Sequence, residues 1–325
     1  ILGLSNERLV LLQFAAVAAS PIHAQVLARA ATRDIGATLR HVDALRSDRL
    51  LRITDRGVEP FHDRVRDAAL ASLPREARRA CHAALASALS GTADPRTLVH
   101  HLAEAGDRDA ARKAALAAAQ RAEGSLAFEQ AALLLRDAMT YGAEGDDVLR
   151  RLADALAHAH RGVEAADVYL AIGGAERTRA RARAAELLLA SGDLGRGRTV
   201  VSELLADVDR PLPSTTGAAV FTLVRERVAL SMRGFVPRRG ALDVAMTQRA
   251  DLFRGIAQGL GMADNLRAAI YNSRALRAAL DAGDPVRAAI ALATESIFRG
   301  SVDARKPREL LERARGLAEA TGDET

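Results

Sequence analysis

The chain has 325 residues, of which 49% are hydrophobic but only 3% aromatic, and its formal net charge is +5 at pH 7. This length disfavours a single compact core and allows two or more domains or a repeat array. No stretch approaches about 18 uninterrupted apolar residues, which excludes a membrane span, so we expect a soluble chain. The alanine-rich composition favours helices that pack closely through small side chains.

The cysteine content and the chain ends bear on the cellular context. One cysteine, Cys81, excludes an internal disulfide framework and any cysteine-based zinc site, and it fits a reducing cytoplasm. The sequence contains no signal peptide. It opens with Ile1 and closes just after a Gly-Asp pair, so we expect an internal piece of a larger, cytoplasmic protein.

The first ninety residues predict three short helices in succession. Ser5 can cap a helix over residues 6–20, Pro21 starts a second helix, and Asp34 caps a third. The third helix has an apolar stripe made of Ile35, Leu39, Val42 and Leu45.

A β-hairpin follows these helices. The segments "LLRIT" and "VEPF" bracket the turn "DRG", in which Gly57 supplies the permissive backbone of a tight turn. Pro60 confines the second strand to a sheet edge. Three helices, a hairpin and a helix are the element order of a winged helix, which we predict over residues 1–74.

From about Pro74 onward, helices of about 12 to 16 residues alternate with short glycine turns, which predicts an α-solenoid of tetratricopeptide-like helix pairs. Four turns contain Gly-Asp, in which glycine ends one helix and aspartate caps the next. The segment "RPLPSTTG" is the best internal linker. We therefore divide the solenoid into residues 75–210 and residues 211–325, with the second part truncated.

Several motifs imitate catalytic or metal sites. "GDLGRGRT" at 192–199 has the spacing of a phosphate-binding loop, but it follows a helix rather than a strand, which predicts an inter-helix turn. The pairs His100/His101 and His158/His160 lack the spacing of a helical metal site. Cys81 in a helix is typical of a core residue, although His82 is its neighbour. We predict no metal site and no catalytic residues.

The segment "VEPFHDRVRDAAL" at 58–70 resembles the Met-His-Asp motif that closes the winged-helix domain of STAND-class signalling NTPases. These include plant disease-resistance proteins, apoptotic ATPases and bacterial transcriptional regulators. The resemblance implies that His62 contacts the β-phosphate of ADP in the closed, inactive state and that Asp63 orients the turn. Phe61 departs from the usual methionine. The alternative is that His62 and Asp63 only cap a helix.

A second resemblance covers the helical array. Residues 97–139 and 272–296 resemble the regions that follow the ATPase module in large multidomain bacterial serine/threonine protein kinases. It implies a parent protein that is a kinase, an ATPase or both and binds ATP or ADP. The kinase signatures H-R-D and D-F-G are absent here, so we expect no enzyme activity and no cofactor in this chain.

The two resemblances together predict a regulatory, protein-interaction segment. A protein or peptide would bind the concave face of the solenoid. The winged helix would couple this binding to the nucleotide state of an ATPase domain upstream of residue 1. Neither membrane nor specific nucleic acid is expected as a partner.

The alternative is a DNA-binding regulator with a recognition helix over 34–51. Its candidate phosphate contacts are Arg40, Arg46, Arg49 and Arg52. Asp43 and Asp48 oppose this role, because they would face a polyanion. An enzyme of unknown type is disfavoured by the lack of a nucleophile, metal or acid–base set.

Overall fold

The computed structural model describes residues 3–89, 94–206, 212–261, 264–300 and 306–320. The chain divides into two compact units, residues 1–148 and 149–325. The fold is mainly α, with one β-hairpin near the N-terminus and a helical solenoid after it, as predicted. The predicted boundaries at 74/75 and 210/211 stay predictions, and the second lies outside the described residues.

The first unit opens with the predicted order of three helices, a hairpin and a helix. These elements are α1 (Asn6–Val17), α2 (Ala24–Ala30), α3 (Ile35–Ser47), β1 (Leu51–Thr54), β2 (Gly57–Pro60) and α4 (Asp63–Ala71). The solenoid helices of this unit are α5 (Arg75–Leu89), α6 (Pro95–Glu104), α7 (Arg108–Gly124) and α8 (Phe128–Thr140).

The hairpin is antiparallel, and its register runs from Leu51 opposite Pro60 to Thr54 opposite Gly57. Gly57 has a φ of +133°, and a Cβ atom on it would lie 2.6 Å from the carbonyl oxygen of Ile22. Ile22 and Val58 exchange two backbone hydrogen bonds of 2.9 and 2.8 Å. Our prediction that Pro21 starts the second helix is therefore wrong: Ile22 pairs with the hairpin, and α2 begins only at Ala24.

We call α1 to α4 with the β-hairpin the hairpin module, and its core is apolar. Its most buried side chains are Leu11, Leu12, Leu27, Leu45 and Leu51. The predicted stripe of α3 is only half right, because Val42 and Leu45 are buried while Ile35 and Leu39 are 39% and 47% exposed. Thr38 is buried in their place, and its hydroxyl donates to the backbone oxygen of Asp34 at 2.9 Å.

The remaining elements of the described residues are helical. Helix α9 (Asp146–His158) spans the division between the units. The second unit continues with α10 (Gly162–Leu170), a 3-10 turn (Gly174–Glu176), α11 (Arg177–Ala190), α12 (Leu194–Ala206), α13 (Thr216–Arg233), α14 (Val244–Gly261), α15 (Asn265–Ala282), α16 (Pro285–Gly300) and α17 (Lys306–Glu319). No strand follows Pro74 among the residues described, which agrees with the predicted helical array.

The predicted Gly-Asp turns recur between helices. Each described glycine has a positive φ, and each aspartate accepts a hydrogen bond of 2.9–3.2 Å from the backbone N–H three residues on. The confirmed pairs are Gly106–Asp107, Gly192–Asp193 and Gly283–Asp284. The fourth pair, at 322–323, lies outside the described residues.

Candidate functional site

His62 and Asp63 lie where the hairpin leads into α4, and both are exposed. His62 is the N-cap residue of α4 by its backbone, with extended φ and ψ angles, and its carbonyl oxygen accepts from Val65 and Arg66. Its imidazole makes no capping hydrogen bond and instead meets the Phe61 ring edge-on at 5.5 Å. The side chain of His62 therefore does not cap the helix, although its backbone does.

Asp63 is the first residue of α4, where a carboxylate is favoured by the positive end of the helix dipole. The arrangement leaves the His62 imidazole facing solvent at that positive end. Such a position is accessible to a phosphate from outside this chain. Nothing in the structure tests the phosphate contact itself, which stays a prediction.

On the alternative DNA-binding face, two of the four candidate arginines take part in internal ion pairs. Arg46 pairs with Asp43 at 3.2 Å, and Arg52 pairs with Glu59 at 2.9 Å. Asp48 lies 3.7 Å from Arg8. Arginines held by acids release fewer phosphate counterions than free ones, so this geometry weakens the alternative.

The phosphate-loop imitation "GDLGRGRT" is an inter-helix turn that opens α12, as predicted. It joins α11 to α12 with no strand before it. Gly197 is buried there, and a Cβ atom on it would lie 2.7 Å from the side chain of Leu189. Gly197 thus allows α12 to pack closely against α11.

Three histidines come together where α5 packs against α6. His82 lies on α5, and His100 and His101 lie on α6; their ligand atoms all fall within 4.8 Å of one another. The sequence did not predict a metal site, because we judged the pairs His100/His101 and His158/His160 only by the spacing within each pair. The third member, His82, is 19 residues from His101 and is brought in only by packing.

The most unusual surface of the second unit is the outer face of α13. Its side chains at spacings of three and four residues are large, apolar and exposed by 48–84%: Val220, Phe221, Val224, Val228 and Met232. Residues three and four apart lie on the same side of a helix, so these five form one apolar stripe. We call them the α13 stripe.

The opposite side of α13 holds a buried carboxylate. Glu226 is only 2% exposed and pairs with Arg274 at 3.1 Å and Arg277 at 3.0 Å, both on α15. The guanidinium of Arg274 also lies 5.0 Å from the centre of the Tyr271 ring. Burial of Tyr271 raises its pKa to about 12.

A second buried carboxylate ties the same helices to α16. Glu295 on α16 is 1% exposed and accepts from Arg227 of α13 at 2.9 Å. Asn272 and Ser273 of α15 donate to its other oxygen at 3.1 and 3.3 Å. Arg299, one turn further along α16, completes the set at 2.8 Å. Helix α13 is therefore held by charged groups on its inner side.

This arrangement departs from the usual helix pattern, in which apolar residues face the core and charges face water. We did not predict it from the sequence. The signal was available, because the apolar positions of α13 recur every four residues while "RER" at 225–227 interrupts them with charge. Periodicity alone could not say which side faced inward.

The apolar surface extends beyond the end of α13. Val236 is exposed by 74% and also lines a cavity of about 370 Å³. The other lining residues come from the same segment and from α17: Phe235, Pro237, Arg313, Gly316 and Leu317. The guanidinium of Arg313 lies over the Phe235 ring at 4.9 Å. A groove thus adjoins the C-terminal end of α13.

Comparison with known proteins assigns this chain to no family. No protein-family model and no curated protein matches the sequence. Among solved structures, it is similar to a signal transduction ATPase with numerous domains (a STAND protein) with a tetratricopeptide repeat sensor from Pyrococcus horikoshii, at a TM-score of 0.40 and 11% identity. That match covers 99% of this chain and 45% of the other, so the chain spans less than half of that structure. Among the described residues, no helix combines the length and apolar content needed to cross a bilayer.

Proposed function

We propose that this chain is a helical protein-interaction region and that the α13 stripe is its docking surface. The observation that carries the proposal is the pattern of α13, whose large apolar side chains face water while its carboxylate is buried against arginines. Contiguous exposed apolar surface on a protein marks an interaction site. The buried pairs hold α13 in the orientation that presents this surface.

The charges around the stripe define the partner. The only acid on α13, Glu226, is buried, whereas Arg225 is 54% exposed beside the stripe and Arg238 and Arg239 are exposed past the helix end. An apolar surface bordered by arginines favours an amphipathic helix with acidic residues flanking its apolar side. We therefore propose an acidic amphipathic helix of another protein as the occupant.

Binding of synthetic helical peptides tests this docking surface. A peptide with one leucine face and flanking glutamates should bind, and the same peptide with lysines in place of the glutamates should bind more weakly. Phe221→Ser should reduce affinity for the acidic peptide by about tenfold or more, since burial of a Phe side chain contributes about 1.5–3 kcal/mol. Fluorescence anisotropy with labelled peptides measures both effects.

Ile297→Ser is the matched control, because Ile297 is equally exposed, at 76%, but lies on α16. It should leave the peptide affinity unchanged. Equal losses in both variants, or equal binding of the acidic and basic peptides, would contradict the proposal. Light scattering that shows a dimer abolished by Phe221→Ser would instead make a second copy of this chain the occupant.

We also propose that the parent protein is a signalling ATPase or serine/threonine kinase and that the hairpin module reports partner binding to its nucleotide site. Nucleotide chemistry would belong to a domain ahead of residue 1, and this chain would supply regulation only. The resemblance of the segment around His62 supports this view, as does the exposed imidazole at the positive end of α4.

The nucleotide role predicts a specific result in the parent protein. His62→Ala removes a contact made only in the closed state, so the equilibrium shifts toward the open state. One hydrogen bond to a charged group contributes about 1.5–3 kcal/mol, which corresponds to roughly tenfold or more faster ADP release. Stopped-flow with a fluorescent ADP analogue measures the off-rate. Asp67→Ala, at an exposed acid on the same helix, is the control; an unchanged off-rate in His62→Ala would leave this segment a helix start only.

A further inference from the structure

The histidine cluster between α5 and α6 has the geometry of a shared chelate. The Nδ1 atoms of His82 and His101 are 2.9 Å apart, so a single proton lies between two ring nitrogens that point at each other. His100 completes the group, with its ring centre 5.8 Å from that of His82 and 5.4 Å from that of His101. Three rings therefore converge on one point from two helices.

The surroundings of the cluster combine burial with a nearby carboxylate. Burial, as the largest cause, and the neighbouring His82 and His100 together lower the pKa of His101 to about 4. Burial also lowers the pKa of His82, opposed by the carboxylate of Glu104. Glu104 adds a negative charge nearby, which favours a cation.

The distances fit a tetrahedral ion with imidazole ligands. Zinc–nitrogen bonds of about 2.0–2.1 Å place two ligand nitrogens roughly 3.3 Å apart in a tetrahedron. The present 2.9 Å between Nδ1 atoms needs to widen by only a few tenths of an ångström, and we expect the exposed His100 side chain to rotate to complete the tetrahedron. His82 and His101 are 5% and 1% exposed, so two of the three ligands are fixed by packing.

We propose that His82, His100 and His101 form a binding site for a zinc-class divalent ion that joins α5 to α6. The ion takes the place of the proton between the two Nδ1 atoms, and that proton moves to the Nε2 atom of the same ring, so the ring stays neutral. Three protein ligands leave a fourth position, which opens on the side of the exposed His100 and is filled by water or by a group from outside the chain. Imidazole ligands select zinc, copper or nickel over magnesium or calcium.

Metal titration of the intact chain tests this site. After removal of metals with a chelator, the protein is titrated with Zn²⁺ against a chromophoric competitor. We expect one ion per chain and a melting temperature that rises with zinc concentration, since an ion that binds only the folded state stabilises it by mass action. Co²⁺ in place of Zn²⁺ should give the visible absorption bands of a tetrahedral site.

His100→Ala is the decisive variant, because His100 is exposed and its loss leaves the buried pair and the fold intact. Loss of an outer-shell partner alone weakens metal binding about 10- to 100-fold, so loss of this ligand should weaken it by at least about tenfold. His23→Ala, at an exposed histidine of the same unit without a capping hydrogen bond, should bind zinc like the wild type. Stoichiometry below one ion per chain, or equal affinity in wild type and His100→Ala, would overturn the proposal.

Discussion

The hairpin module and the region of α13 to α16 differ in where they place charged groups: the second region buries carboxylates beside its apolar core. In the module, Leu11 and Leu45 are buried, while the pairs Arg46–Asp43 and Arg52–Glu59 lie at the surface. Between α13 and α16, Glu226 is buried, and the α13 stripe faces water. Apolar cores supply most folding stability, whereas buried ion pairs contribute little net stability but are costly to break. The apolar core of the hairpin module therefore mainly provides stability. The buried ion pairs of the second region mainly fix the orientation of α13.

The largest effect should follow removal of one buried charge. Glu226→Ala leaves Arg274, which is 3% exposed, without its main carboxylate partner. Breaking a buried pair in this way costs about 3–5 kcal/mol. We expect that loss in the unfolding free energy of the second unit, measured by urea titration with a probe placed on α15.

Glu203→Ala provides the comparison, because Glu203 pairs with Arg181 at the surface of the same unit. Exposed pairs contribute about 0–1 kcal/mol. Equal losses in the two variants would show that the buried carboxylates do not hold α13, and the contrast between the two regions would fail.

Much of the hairpin module could be predicted because its signals are local. The Asp34 carboxylate caps α3 by accepting from the backbone N–H of Ala37, three residues on. Gly57 has a positive φ, which the two-residue turn of the hairpin requires. The start of α2 could not be predicted, because Ile22 leaves the helical pattern to pair with Val58, 36 residues away in sequence. Such long-range pairings override local propensity.

The second expected effect concerns the apolar core of the module. Leu45→Ala removes a fully buried side chain, and such changes cost about 2–5 kcal/mol. Leu39→Ala, on the same helix but exposed, should change stability by no more than about 0.5 kcal/mol. Hydrogen exchange of α3 amides measures both. Similar costs at the two positions would mean that the exposed side of α3 is covered in the folded chain.

The candidate sites were harder to predict than the fold, for one reason. His82 meets His100 and His101 only after α5 and α6 pack, and Glu226 becomes a buried acid only when α15 supplies Arg274 and Arg277. Neither group of residues has a recognisable spacing in the sequence. His62 and Asp63 were predicted from a short local motif, and they lie at the start of α4, but their nucleotide role stays a prediction.

The third effect depends on pH. Burial raises the pKa of Tyr271 from its ordinary value near 10 to about 12, so the folded state holds its proton at a pH where the unfolded chain has lost it. This contribution to stability is fully present below pH 10 and is lost between pH 10 and 12, by up to about 3 kcal/mol. Tyr271→Phe should remove this part of the alkaline loss in urea titrations of the second unit. An identical alkaline profile in the variant would mean that the ring is not sequestered beside Arg274.

The smallest effect separates two helix starts within the module. The carboxylate of Asp34 accepts from the backbone N–H of Ala37 at 2.9 Å, whereas Ser5 stands at the start of α1 without a capping bond from its side chain. Replacing an N-cap that makes this bond costs about 1 kcal/mol, since a backbone donor loses its partner. Asp34→Ala should therefore raise hydrogen exchange at the first turn of α3 by about fivefold, because 1 kcal/mol is a factor of about five in an equilibrium.

Ser5→Ala should leave the first turn of α1 nearly unchanged, because no backbone donor there depends on the hydroxyl. If the two variants raised hydrogen exchange equally, the free-energy cost would not come from the hydrogen bond between Asp34 and Ala37. The position of the residue at a helix start would then determine the cost.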